Sequence, residues 1–135
     1  MKTIINRISY VLKDDLTSYD KILSESLKSD VKLINSVVNY QIKHKGKSFR
    51  PMLCILCAKL EGEPNEMTYR VASAVEILHV ATLLHDDVVD EASMRRRWPS
   101  INSIWKNKLA ILIGDYMFSK ALKNIAKLKS FESIE

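Results

Sequence analysis

The segment Leu83-Leu84-His85-Asp86-Asp87-Val88-Val89-Asp90-Glu91 holds the side chains best suited to chemistry. Asp86 and Asp90 are four residues apart, so on a helix they share a face, one turn from each other. Like charges at that spacing repel, and near a helix C-terminus the macrodipole disfavours anions as well. Selection for stability alone would put lysine there. Two hard carboxylates one turn apart instead suit a shared divalent cation, and Mg2+ takes oxygen ligands together with waters and substrate phosphates. The plainer alternative is a solvated acidic helix end that pairs with Arg95, Arg96 and Arg97. Against it stands the run from Val71 to Leu84, apolar nearly all round, which predicts a buried helix whose acidic end faces an internal cavity. Glu76, His79, Thr82, Asp86 and Asp90 form a polar stripe along that helix, although His79 alone would read as a core histidine.

A cationic set accompanies the acids. Lys47 and Arg50 flank a loop just ahead of a helix that Pro51 can open, and helix N-termini with basic neighbours bind phosphate. Arg95-Arg96-Arg97 comes within a few residues of Asp90. Acids that hold a metal, beside arginines that grip oxygens in pairs, meet the needs of a diphosphate. Other motifs carry less. Gly46-Lys47-Ser48 imitates the end of a P-loop, but Gln41 stands where that motif needs glycine and no strand precedes it. Cys54 and Cys57 have CxxC spacing without a second pair, which points to packing rather than zinc. The triple arginine lacks the helix-turn-helix pattern or interleaved aromatics of a nucleic-acid site. Asp115, in Gly114-Asp115-Tyr116, reads as structural.

The elements that must position these residues are helical. The 135 residues are 47% hydrophobic with a net charge of +5, enough for one domain or part of one and too apolar for a disordered chain. Three Gly and three Pro argue against a turn-rich β-sandwich. The periodicity predicts helices over about 3–27, bent near Asp14-Asp15, from after Asp30 to His44, from Pro51 to Gly62, from Glu66 to Val89 or Asp90, and over about 108–129. Residues 91–99 read as a basic loop, with Ser100 or Asn102 capping the last helix. No apolar run reaches the ~18–20 residues that cross a bilayer. The amphipathic N-terminus lacks the apolar block of a signal peptide, so the cytoplasm is the expected location.

Taken together, these residues resemble the N-terminal half of a trans-isoprenyl diphosphate synthase, in the polyprenyl synthetase family. The matching pieces are Gly46-Lys47-Ser48-Phe49-Arg50-Pro51, His79, Leu84 to Ala92, Arg95-Arg96, Pro99-Ser100-Ile101-Asn102 and Gly114-Asp115-Tyr116. They run from about residue 40 to 120 in the family's order. Two positions depart from it, since Ser48 stands where arginine is usual and Arg97 where glycine is usual.

The resemblance implies an all-α helical bundle, part of an isoprenoid-synthase fold, with residues 1–135 as one helical domain and half of a longer one. It implies Mg2+ held by Asp86 and Asp90 with Asp87 beside them, and Arg95 on an allylic diphosphate. Lys47, Arg50, His79 and Arg96 would hold isopentenyl diphosphate. Ala81 and Thr82, both small, occupy the positions that close the product tunnel when bulky, which implies a medium- or long-chain product. The family usually forms dimers and carries a second aspartate-rich motif, for which nothing after Pro99 qualifies. A fragment, or a chain completed by a partner, is therefore expected to be nearly inactive alone. Two other readings compete: an HD-type phosphohydrolase built on His85-Asp86, and a non-catalytic assembly subunit that keeps the apolar faces without binding Mg2+.

Overall fold

The computed structural model describes residues 2–129. Six helices account for nearly all of them: α1 (Lys2–Val11), α2 (Lys13–Leu27), α3 (Lys32–Lys43), α4 (Phe49–Glu61), α5 (Glu66–Val89) and α6 (Ile101–Ala126). The all-α expectation is met.

The anticipated first helix is two. Its break falls at Leu12, not at Asp14-Asp15, because those acids belong to the first turn of α2, where the dipole favours negative charge. Leu12 is fully buried at the corner, and α2 then buries Tyr19, Leu23 and Leu27 at i, i+4 and i+8. Helix α3 is preceded by Val31 rather than capped by Asp30. The Asn35 side chain closes that turn instead, accepting from the Ser29 amide at 3.0 Å and donating to the Ser29 carbonyl at 2.6 Å. Helix α4 begins two residues before Pro51, with Ser48 ahead of it at φ 51°.

Helix α5 starts where expected because Asn65 and Thr68 form a reciprocal capping box. Helix α6 starts seven residues before the expected Lys108. Lys106 interrupts it with φ 71° and ψ 159°, so the helical periodicity is clean only beyond that point. It ends at Ala126 rather than near Lys129.

Residues 91–99 are not simply a loop. Strands β1 (Met94–Arg95) and β2 (Trp98–Pro99) pair antiparallel across a tight turn in which Arg96 and Arg97 both have positive φ, 50° and 71°. Two-residue hairpins of that form normally place Asn-Gly there.

Helix α5 is central, packed on α6 and flanked by α4 and α2. Ala72, Ala74 and Ala81 on α5, with Ala110, Gly114 and Ala121 on α6, are all buried, and such small residues allow close approach of the two axes. Contrary to the expectation of burial all round, one side of α5 is uncovered: Val71 and Val75 are exposed, as are Leu112, Phe118 and Leu122 on α6. Among the described residues, no helix is long and apolar enough to cross a membrane.

Candidate metal and diphosphate site

The last turn of α5 presents its three aspartates differently. Asp87 is buried, whereas Asp86 and Asp90 are exposed. The Asp90 amide donates to the Asp86 carbonyl at 2.8 Å, and the helix is then closed by the Ala92 amide donating to the Asp87 carbonyl at 2.9 Å across Glu91, whose φ is 51°. The hairpin then folds Arg95 back onto Asp87: Nε donates to Oδ2 at 2.8 Å and Nη2 to Oδ1 at 2.6 Å. This fork is the strongest pairing geometry available to a carboxylate. Hydrogen bonds donated to Asp87, then its charge and those of Asp86 and Asp90, raise the Arg95 pKa against the opposing effect of burial.

Part of the plainer reading of the acids is therefore correct, because Asp87 has an arginine partner. Asp86 and Asp90 have no ion-pair partner among the described residues. Their carboxylates face the uncovered side of α5 rather than an enclosed cavity, the opposite of what the apolar run suggested.

Beside this turn lies a narrow cleft, open to solvent, whose walls include Gly46, Glu76, His79, Asp87, Arg95 and Arg96. The Arg96 guanidinium lies against Gly46, where an added Cβ would sit 2.7 Å from Cζ. A side chain at 46 would evict the guanidinium. His79 is partly buried, and desolvation lowers its pKa, with Arg50, Arg96 and Arg95 lowering it further against Glu76. Arg95 and Arg96 line the same cleft as the imidazole, whereas Arg50 is exposed and does not. Lys47 is exposed on the same loop and does not line the cleft, whereas its neighbour Lys45 does. Of the two positions that the resemblance assigns to product length, Ala81 is buried in the core and Thr82 is exposed, with Thr82 Oγ1 donating to the His79 carbonyl at 2.8 Å.

One feature of the cleft had no sequence signal, and a second was visible only as a member of the polar stripe. The His44 ring lies 4.3 Å from Tyr40 and 4.3 Å from Trp98, and the Tyr40 hydroxyl donates to the Pro99 carbonyl at 2.8 Å, so aromatic contacts hold the hairpin against α3. Glu76 is buried with Oε2 unpaired, a carboxylate turned into a cationic cleft. No three His, Cys, Asp or Glu side chains converge on one point among the described residues. Asp86 and Asp90 offer oxygen donors only, which fits Mg2+ or Ca2+ with remaining ligands from water or a substrate, and does not fit zinc.

The fold is all-helical, with an acid pair closing its central helix beside an arginine-lined cleft. The chain belongs to the polyprenyl synthetase family, whose model matches residues 31–135. It is 38% identical over 126 residues to the all-trans-nonaprenyl-diphosphate synthase (geranyl-diphosphate specific) of Rhodobacter capsulatus, covering 88% of this chain and 39% of that one. It is 34% identical over 131 residues to the octaprenyl diphosphate synthase of Escherichia coli strain K12, covering 97% of this chain and 41% of that one. Its fold superimposes with a TM-score of 0.90 on the polyprenyl synthase of Caulobacter crescentus CB15 complexed with calcium and isoprenyl diphosphate, at 31% identity, covering 96% of this chain and 40% of that one. A decaprenyl diphosphate synthase from Rhodobacter capsulatus gives a TM-score of 0.91 at 34% identity, with 96% of this chain and 40% of that one covered. The chain thus spans about two-fifths of the length of these relatives.

Proposed function

We propose that this chain forms the first aspartate-rich half of a prenyltransferase that condenses isopentenyl diphosphate with an allylic diphosphate. The observation that carries the reading is the division of labour in the last turn of α5: Asp87 is spent on Arg95, while Asp86 and Asp90, one turn apart, are exposed and unpaired. Bound Mg2+ would neutralise charge on the allylic diphosphate as the C–O bond ionises, an electrostatic contribution that is usually large. Asp86 and Asp90 hold the cation. Arg95, kept in place by Asp87, faces the same diphosphate, and Lys47, Arg50, His79 and Arg96 bind the diphosphate of the isopentenyl substrate. Thr82, small and on the uncovered side of α5, leaves room for a medium- or long-chain product, which the octaprenyl and nonaprenyl relatives support, whereas Ala81 is packed in the core. The complete enzyme is a dimer, does not act on nucleic acid and works in the cytoplasm, where the free thiols of Cys54 and Cys57 stay reduced.

The phosphohydrolase alternative is disfavoured by His85, whose Nε2 lies 3.3 Å from Asp115 Oδ1 and 3.3 Å from the Ile111 carbonyl instead of beside Asp86 as a second ligand. Calorimetry with Mg2+ and a non-hydrolysable allylic diphosphate analogue tests the proposal. Metal-dependent binding that disappears in Asp86→Ala is expected; binding that survives that substitution, or is absent from the parent chain, overturns it.

A further inference from the structure

Successive helix side chains point about 100° apart, so the neighbours of Asp86 leave the helix on its two flanks. Both flanks are tied down. On one, Asp87 is forked by Arg95. On the other, the His85 ring sits directly on Gly114 of α6, where an added Cβ would lie 2.6 Å from Cδ2 and collide with Nε2. That nitrogen faces two oxygens of one α6 turn, the Ile111 carbonyl and Asp115 Oδ1, each at 3.3 Å. A ring nitrogen between two acceptors carries the proton, which assigns His85 as the Nε2–H donor. The next residue, Tyr116, places its hydroxyl 3.0 Å from the Leu27 carbonyl and 3.0 Å from that of Lys28, anchoring α6 to the end of α2. Gly114-Asp115-Tyr116 is therefore a junction joining α2, α5 and α6.

A helical turn held at i−1 and i+1 cannot rotate about its axis, and the direction of residue i is then set. We propose that His85, seated on Gly114 and tied to Asp115, is a positioning residue that fixes the direction in which Asp86 presents its carboxylate to a divalent cation. The inference rests on the metal role given above to Asp86 and Asp90. A role in packing alone would require only bulk at position 85, whereas positioning requires a donor at the place of Nε2. Outer partners that orient metal ligands typically contribute 10–100-fold to metal affinity.

The test is Mn2+ binding to the 135-residue chain in the presence of inorganic diphosphate, monitored by electron paramagnetic resonance. Asp86→Ala serves as the reference for loss of the site. His85→Leu keeps the bulk and is expected to weaken Mn2+ binding by about 10-fold. His85→Gln restores an N–H donor and is expected to recover most of that loss. Asp115 is exposed, so Asp115→Ala folds even if His85→Leu does not, and it is expected to weaken Mn2+ binding in the same direction. A folded His85→Leu or Asp115→Ala chain that binds Mn2+ as tightly as the parent overturns the inference while leaving the function intact. A parent chain that binds no Mn2+, or binds it equally well as Asp86→Ala, removes the function and the inference together.

Discussion

Arg95 approaches Asp87 with two nitrogens, Nε at 2.8 Å from Oδ2 and Nη2 at 2.6 Å from Oδ1, so the middle aspartate of the acidic turn is a structural partner before any ligand arrives. Asp87 is buried and Arg95 half-buried, so removing the carboxylate strands a desolvated guanidinium. Asp87→Ala should cost about 1.5–3 kcal/mol of stability in urea denaturation, and Arg95→Ala in the same background should cost little more. A double-mutant cycle with no coupling would show the fork to be incidental.

Asp86 and Asp90 should behave in the opposite way. They repel each other at i, i+4 beside a helix C-terminus, so replacing either with alanine should raise stability slightly, by about 0.3–0.5 kcal/mol, while abolishing binding of Mg2+ with a diphosphate. Thermal denaturation and calorimetry on the same samples separate the two effects. Loss of both stability and binding would mean that these carboxylates support the fold.

His79 supplies a pH signature. Desolvation, then Arg50, Arg96 and Arg95, hold its folded pKa below the ordinary 6.5. With the folded value depressed, the unfolded chain takes up protons first as pH falls below about 6.5. The contribution of neutral His79 to stability is therefore intact above that pH and lost on acidification through the folded value. An anionic diphosphate beside the ring reverses the bias, so binding at a pH of about 6.5 should take up protons. The difference in proton uptake between the parent and His79→Gln, from calorimetry in buffers of different ionisation enthalpy, checks this; equal uptake in both would remove His79 from the site.

Arg97 occupies a left-handed position in the hairpin turn, φ 71°, where a side chain is strained and glycine is at ease. Arg97→Gly should stabilise the chain by about 0.5–1 kcal/mol without changing diphosphate affinity, since Arg97 is exposed and does not line the cleft. Urea denaturation and phosphate-analogue binding report the two quantities.

Thr82 lies one turn before Asp86 on the uncovered side of α5, whereas Ala81 is packed in the core. Thr82→Phe should therefore reduce affinity for long allylic diphosphates more than for short ones. Ala81→Phe should instead overpack the core, at a cost of about 1–3 kcal/mol. Equal affinities across a chain-length series in Thr82→Phe would exclude that position from chain-length selection.

The limits of α5 and the pairing of Asp86 with Asp90 are legible in the sequence because both depend on local rules: a cap at Asn65, apolar periodicity and i, i+4 geometry. The burial of that helix is not, since an apolar stripe says that something covers Val71 and Val75, but residues 2–129 leave them bare. The Arg95 fork is half-legible: the charges announce that arginines meet acids, while the particular partner depends on a hairpin too short to show alternation. The early turns of α6 are hidden by the reversal at Lys106, which resets the helical phase. The seat of Arg96 on Gly46 joins two loops separated by two helices, α4 and α5, and leaves no trace in either neighbourhood.

That last contact has an evolutionary corollary. Position 46 and the hairpin constrain each other: any mutation that gives residue 46 a side chain pushes the guanidinium off its seat, and the long, exposed Arg96 side chain must then swing to another rotamer. A designer grafting either loop into another scaffold keeps this seat only by carrying both.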